Sequence, residues 1–237
     1  GYHVLEPLQR SSAPDLILTV DRHVEDLQQI LAPLNHPVIL GSSWGAMLAL
    51  AHAAKYPGVA SALILVGSGT FSLASREEFS RRLEMRGGHE MRRALDALDE
   101  EAAREGLDPD EKLRRHVAIV DQAYSYDLIS PELELLDIDG VGNKQAWQDM
   151  IALQERGVYP SAFERIDVPA LLIHGDVDPH PGDWVHLEGD FQHGDGLSTV
   201  TGRGSATRGD GKLDPRNLRR GGSISQRLVR VRWDQVR

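Results

Sequence analysis

The stretch VILGSSWGAMLALAHAAKYP, residues 38–57, decides the fold class. It joins a short apolar run to an alanine-rich segment through GSSWG, a G-x-S-x-G sequence centred on Ser43. Glycines on both sides of a serine predict a sharp strand-to-helix turn, because a Cβ at either glycine would collide with the neighbouring strand or helix. The turn would place Ser43 at a helix N-terminus, with the backbone N–H of Trp44 pointing toward a substrate oxygen.

Ser43 is therefore a candidate nucleophile. A serine hydroxyl is weakly nucleophilic, so it needs an exposing turn, a base within hydrogen-bond reach and donors for the developing oxyanion. A chance match to G-x-S-x-G in a loop is the alternative. The position of the motif, between a buried strand and an alanine-rich helix, favours the nucleophile.

The segments around this motif alternate between strand and helix. Val20, Val24, Leu27 and Leu31 recur at helical spacing after Thr19, a candidate N-cap. Short apolar runs predict strands at 3–5, 38–40, 62–66 and 168–173, and helices are predicted at 20–31 and 46–55. This alternation predicts an α/β fold with a mostly parallel sheet.

The middle of the chain has a different texture. Residues 71–157 show helical periodicity without strands and predict an inserted helical lid, which leaves 1–70 and 158–182 as the core. Residues 76–139 hold 18 acidic and 10 basic side chains. They form either a solvated surface or a charge-selective funnel. Residues 183–237 are rich in Gly, Arg, Ser and Asp and predict an irregular or disordered tail.

Composition excludes several classes of protein. The net charge is −10, and residues 1–182 hold 16 Lys+Arg against 29 Asp+Glu, which argues against nucleic-acid binding. Only the tail, with 10 against 7, leaves room for an RNA-binding alternative. The sequence contains no cysteine and no run of 18 apolar residues, so a cytoplasmic protein without a membrane span is expected.

Three stretches carry a resemblance to a known family. VILGSSWGAMLALAHAAKYPGVASALILVGSG resembles the nucleophile-elbow region of the α/β-hydrolase fold superfamily, and its G-x-S-W-G form resembles the prolyl iminopeptidase-like branch. GYHVLEPLQRSS is similar to the strand and loop that precede the elbow in that branch. VPALLIHGDVDPHPG is similar to the later strand whose loop carries the acid of the catalytic triad. The resemblance covers roughly residues 1–182.

The resemblance implies that Asp178 is the triad acid, since it holds the matching place in G-x-x-D. A carboxylate just beyond the end of a strand also faces the crevice into which the elbow opens. Asp176 is the nearest competitor, and both aspartates could instead only cap the turn. His180 is expected to be a loop histidine, and His174 to be packed at the end of the strand.

The triad base is missing from its expected place. In the family it follows the acid after a further helix and strand, which need roughly 25 residues and predict a histidine near position 203. The sequence there, GRGSATRGDGK, contains no histidine. His186 and His193 follow Asp178 too closely for that intervening structure. His193 is the better candidate of the two, with an exposed loop histidine as the alternative.

The resemblance also implies an earlier strand and an H-G-G-type oxyanion loop, which the sequence lacks. We therefore expect a chain truncated at its amino end and unrelated to the family after about residue 182. Acidic lid residues such as Glu132 or Glu134 could hold a substrate amine or could be solvated surface groups. Asp137 and Asp139 lie in a D-x-D-G sequence that lacks the further carboxylates of a calcium loop and predicts a turn.

The function predicted from the sequence is that of a serine hydrolase. It would cleave small ester or amide substrates, or short peptides, through an acyl-enzyme intermediate, with no metal or organic cofactor and no nucleic-acid or membrane partner. Ser43, Asp178 and the oxyanion donor Trp44 are its candidate residues. The alternative is a non-catalytic, truncated or degenerate hydrolase that lacks the triad histidine.

Overall fold

The computed structural model of the chain describes residues 3–70, 72–124, 138–175 and 177–181, together with two strands at 199–200 and 224–229. A 3₁₀ helix at Ser161–Arg165 precedes β3. The other elements follow one another as α1 (Val20–Leu31), β1 (Val38–Ser42), α2 (Trp44–Lys55), β2 (Ala62–Val66), α3 (Leu73–Glu105), α4 (Pro109–Tyr124), α5 (Gly140–Glu155), β3 (Ala170–Gly175), β4 (Thr199–Val200) and β5 (Ile224–Val229).

The described strands form one sheet in the order β1-β2-β3-β5-β4. β1, β2 and β3 pair in parallel, with Ile39 opposite Leu63 and Leu63 opposite Ala170. The α/β fold predicted from the sequence is confirmed, and β2 has the bounds that the apolar run predicted. Because the three strands are parallel, their carboxyl ends meet at one edge of the sheet.

Helix α2 packs on this sheet against β1 and β2, and α1 packs against α2. The Thr19 side chain accepts a hydrogen bond from the Arg22 N–H, so α1 begins where the cap predicted. In α2 every residue from Ala46 to Ala54 is buried, which explains why this helix is apolar on all sides rather than amphipathic. α2 therefore fixes the position of the G-x-S-x-G segment at its own N-terminus.

Two expectations for the amino-terminal half are wrong. No strand forms at residues 3–5, where Val4 and Leu5 are 85% and 62% exposed. No described strand runs along the outer edge of β1, so this segment has no ladder to join. The strand before Ser43, which was expected to be buried, is buried on one face only, because Val38 and Leu40 are exposed while Ile39 and Gly41 are buried.

β4 and β5 lie in the segment for which the sequence predicted irregular structure. β5 runs antiparallel to β3, and β4 pairs antiparallel with β5. The segment ISQRLV is the part of the tail in which polar and apolar residues alternate, as half-buried strands require. β5 also supplies hydrogen-bond partners for the backbone of β3, which would otherwise be an open edge.

Between the two parts of the sheet the described residues form helices only. α3 begins with a capping box between Ser72 and Ser75 and is kinked at Gly88, whose φ of 60° is not helical. α3 packs along α4, and α4 contacts α5. Across the described ranges, no helix is long and apolar enough to cross a bilayer.

Candidate active site

Ser43 lies at the junction of β1 and α2. Its N–H donates to the Val66 carbonyl at 2.9 Å, which ties it to the end of β2. Its φ of 50° and ψ of −113° lie in a region that residues other than glycine rarely adopt. The side chain is exposed and does not cap α2. The strained turn thus presents the hydroxyl away from the helix it begins, as a nucleophile requires.

The two glycines that flank this turn are not equivalent. A Cβ built on Gly41 would lie 2.2 Å from the Gly45 carbonyl oxygen and 2.6 Å from the Ala46 nitrogen. Only glycine allows β1 to approach the first turn of α2 so closely. A Cβ on Gly45 would meet nothing within 4 Å. The expectation that a Cβ would collide at both glycines is therefore wrong for Gly45.

The first turn of α2 offers backbone donors. The N–H groups of Ala46 and Met47 both donate to the Ser43 carbonyl, at 3.1 and 3.3 Å. The N–H groups of Trp44 and Gly45 precede them and, being in the first turn, have no acceptor within the helix. Such N–H groups can bind an anionic oxygen at the positive end of the helix dipole.

Asp178 lies in the loop after β3, at the same sheet edge as Ser43. Its Oδ1 accepts hydrogen bonds from the His180 backbone N–H at 2.8 Å and from His180 Nδ1 at 2.9 Å. Burial acts to raise the pKa of the Asp178 carboxyl, but these hydrogen bonds outweigh it and hold the pKa below its ordinary value. Asp178 is therefore an ionised acceptor at neutral pH. Its competitor Asp176 lies outside the described residues.

Ser43 and Asp178 both lie close to the carboxyl end of β2. The carbonyl of Val66 holds the Ser43 N–H, and the next residue, Gly67, has a φ of 49°. A Cβ built on Gly67 would lie 3.3 Å from Asp178 Oδ2. Asp178 and Ser43 thus flank the end of β2 from opposite sides, from β3 and from β1.

The ring of His180 packs among aromatic side chains. It stacks on Phe79 of α3 with a centroid distance of 4.4 Å and an interplanar angle of 12°, and Tyr124 of α4 lies 5.7 Å away. Burial, with a contribution from the charge of Asp178, raises the pKa of Tyr124 to about 12, so the phenol stays neutral. His174 Nε2 donates to the His180 carbonyl at 2.9 Å, at the end of β3 as the sequence predicted.

His180 was expected to be a loop histidine without a catalytic role. The structure shows that its ring is hydrogen-bonded to Asp178, which was not expected. The signal in the sequence was the D-P-H spacing, because an aspartate two residues before a histidine can accept bonds from both the backbone and the ring of that histidine.

A cavity of about 1230 Å³ joins these groups. Its walls include Ser43, Trp44, Phe79, Tyr124 and His180. Residues 6–12 of the amino-terminal segment also line the cavity, as do residues of α4 and α5. The nucleophile candidate and the histidine bound to Asp178 therefore face the same space.

The amino-terminal segment is held beside this cavity by polar contacts. Trp44 Nε1 donates to Gln9 Oε1 at 3.1 Å, and Arg10 Nε donates to Asp26 at 2.7 Å. Ser12 Oγ donates at 2.7 Å to Asp139, which is also the N-cap of α5. Residues 9–12, which follow the segment predicted to be a strand, thus connect α1, α2 and α5.

Arg86 joins α3 to the loop that carries Asp178. Its guanidinium donates to the Val177 carbonyl and, at 3.4 Å, to the Ala123 carbonyl. Phe79 of the same helix stacks on His180. The acid loop is thus held by the helical segment as well as by the sheet.

The described residues contain no group of His, Asp and Glu side chains that could hold a metal ion. Asp139 caps α5, and its partner in the D-x-D-G sequence, Asp137, lies outside the described residues. His186, His193, Glu132 and Glu134 lie outside them too.

Several solved structures resemble part of the chain, VinJ and CarC among them. VinJ is 18% identical to it over 69% of this chain and 58% of its own, with a TM-score of 0.43. A serine hydrolase involved in carbazole degradation, CarC, is 23% identical over 69% of this chain and 55% of its own, with a TM-score of 0.34. The chain spans less than two thirds of the length of each. At these identities and TM-scores the likenesses carry no argument about activity.

No curated protein sequence matches the chain. The model of the alpha/beta hydrolase family matches residues 1–207, and so includes β1, β2, β3, the strand-to-helix turn at Ser43 and the loop of Asp178. The match continues beyond residue 182, where the resemblance was expected to end. The chain belongs to the alpha/beta hydrolase family.

Proposed function

We propose that the protein is a serine hydrolase in which Ser43 attacks an ester or amide carbonyl and forms an acyl-enzyme intermediate. The observation that carries this proposal is the conformation of Ser43, which has a positive φ at the start of α2 and an exposed side chain in the cavity. Strain of this kind costs about 1–3 kcal/mol and is typical of functional sites. A serine that only connected β1 to α2 would not need it.

The remaining roles follow from position. The Trp44 N–H, joined by that of Gly45, would stabilise the oxyanion of the tetrahedral intermediate. Asp178, ionised and fixed by its hydrogen bonds, would orient and stabilise a protonated base. α3, α4 and α5 would act as the lid over residues 1–70 and 158–182, and their side chains would select small esters, amides or short peptides.

The test is active-site labelling of the full chain with a fluorophosphonate, followed by peptide mass spectrometry. We expect the label on Ser43, and we expect Ser43→Ala to abolish both labelling and the hydrolysis of a p-nitrophenyl ester. Ser42→Ala is the matched control, because Ser42 is also exposed but belongs to β1. An unlabelled protein would favour the non-catalytic alternative, and labelling that survives in Ser43→Ala would assign the reactive group to another residue.

We further propose that the substrate carries a free amine, as the resemblance to the prolyl iminopeptidase-like branch suggests. Acidic side chains outnumber basic ones around the cavity, whose charged residues are Glu6, Arg10, Asp108, Asp110, Arg114 and Asp139. Amino-acid p-nitroanilides with a free amine should then be cleaved faster than their acetylated forms. Equal rates for the two would contradict this preference.

We also propose that the protein is cytoplasmic, which the lack of cysteine in the sequence supports.

A further inference from the structure

We propose that His180 is the general base of the reaction, so that the acid and the base of this enzyme lie two residues apart in one loop. The inference rests on the proposed role of Ser43. It is carried by two observations. The His180 ring is hydrogen-bonded to Asp178, and the same ring lines the cavity into which Ser43 opens.

The hydrogen bond to Asp178 fixes which nitrogen can accept a proton. A carboxylate oxygen only accepts, so His180 Nδ1 donates to Asp178 Oδ1 at 2.9 Å. In the neutral ring the lone pair is then on Nε2, on the side away from Asp178. This is the arrangement that a base needs, because the carboxylate holds the tautomer and stabilises the imidazolium formed later.

Aromatic packing holds the ring in place. Phe79 covers one face of the imidazole, Tyr124 lies beside it, and the His180 side chain is 12% exposed. The stacking and the hydrogen bond to Asp178 act on the ring together. The ring is thus confined to the region between α3, α4 and the end of β3.

The relative placement of the two groups follows from the sheet. Ser43 is attached to the end of β2 through the Val66 carbonyl, and Asp178 Oδ2 approaches the next residue, Gly67. His180 extends from Asp178 into the shared cavity. The hydrogen bond between Nε2 and Ser43 Oγ would close when a substrate fills the cavity, as catalytic hydrogen bonds often do.

The steps balance with an ester and water as the reactants. Ser43 Oγ bonds to the carbonyl carbon while its proton passes to His180 Nε2, and the oxyanion forms. The tetrahedral intermediate collapses, the bond to the leaving alkoxide breaks, and Nε2 returns the proton to that alkoxide. A water molecule then attacks the acyl carbon and gives a proton to Nε2. The bond to Oγ breaks, and Oγ takes that proton back.

Two other histidines are the competitors. His23 of α1 also lines the cavity, but it meets the Trp44 ring edge-on at 6.3 Å, and no described carboxylate is hydrogen-bonded to it. His193, the candidate from the sequence, lies outside the described residues. The Asp178 hydrogen bond therefore singles out His180 among the histidines that the structure describes.

The experiment measures the rate of fluorophosphonate labelling of Ser43 in the full chain and in five single variants. We expect His180→Gln and His180→Ala to slow labelling by roughly 10²- to 10⁴-fold, the usual contribution of a general base. Free imidazole should restore part of the rate in His180→Ala and none in Ser43→Ala. The matched control is His89→Gln, since His89 is exposed on α3 and is not among the residues that line the cavity, and its rate should equal that of the parent.

The outcomes separate this inference from the proposed function. Parent protein that is not labelled at Ser43 overturns both. Labelling at Ser43 that is equally fast in His180→Gln overturns the base assignment alone. Loss of labelling in His193→Gln with full labelling in His180→Gln would assign the role of the base to His193 instead. A merely structural effect of His180→Ala is recognised by a lowered melting temperature together with no rescue by imidazole, and it would also overturn the assignment.

Discussion

The substitution Gly41→Ala tests the close approach of β1 to α2. The new Cβ would lie 2.2 Å from the Gly45 carbonyl oxygen, whereas real Cβ contacts essentially never fall below 3.0 Å, so the two backbones must separate by about 0.8 Å. Overpacking costs about 1–3 kcal/mol, and we expect about 3 kcal/mol because backbone rather than a flexible side chain is in the way. The melting temperature should fall by about 6–12 °C.

The paired substitution Gly45→Ala should have the opposite sign. Its Cβ meets nothing within 4 Å, and an alanine stabilises a helix by about 0.5–1 kcal/mol relative to glycine. The melting temperature should rise by about 1–4 °C. Urea unfolding followed by circular dichroism measures both variants against the parent. A neutral Gly41→Ala, or equal destabilisation by both alanines, would refute the described packing of the turn.

Three further outcomes are expected. Ser43→Gly should raise the unfolding free energy by roughly 1 kcal/mol while abolishing labelling, because glycine adopts the positive φ without strain; a stability at or below that of the parent in urea unfolding would contradict the strain. His52 is buried, which lowers its pKa from 6.5 to about 4, so the folded state binds fewer protons than the unfolded state between these values. The unfolding free energy should therefore fall as the pH drops from 6.5 to 4, and the slope should be shallower in His52→Gln; equal slopes would exclude His52 as the cause. Asp139→Ala should cost about 1–2 kcal/mol in urea unfolding, since it removes the N-cap of α5 and the acceptor for Ser12; no loss would mean that neither bond contributes.

The sequence predicts those parts of the fold in which local chemistry and burial agree. Thr19 and the spacing of Val20 and Leu31 define α1, and the apolar run at 62–66 defines β2. Both patterns depend only on residues that are close together in the sequence. The failed strand at 3–5 shows the limit. Alternation and apolar content give a segment the capacity to pair, but a partner strand elsewhere in the chain decides whether it does.

The candidate site was predictable to a different extent at each residue. The turn at Ser43 is local, so its glycine spacing was enough to place it. Asp178 was predicted from the family resemblance, at the matching place in G-x-x-D, with support from the rule that parallel strands end at one edge. The sequence did not predict the proposed role of His180. That proposal depends on the hydrogen bond between the His180 ring and Asp178 and on the stacking against Phe79, and the spacing of residues in the sequence shows neither contact. The sequence also did not show that a Cβ would collide at Gly41 but not at Gly45.

The contacts of Arg86 and Phe79 couple the position of α3 to that of the loop that carries Asp178 and His180. Arg86 holds the carbonyl of the residue before Asp178, and Phe79 supports the ring that Asp178 orients. A swing of α3 away from the sheet would break both contacts and release the acid and its histidine together. In the proposed mechanism, opening the cavity in this way would inactivate the site as substrate entered, and closure would restore it. In that mechanism, excision of the helical segment would likewise leave Ser43 in place on the sheet without rigid support for Asp178 and His180.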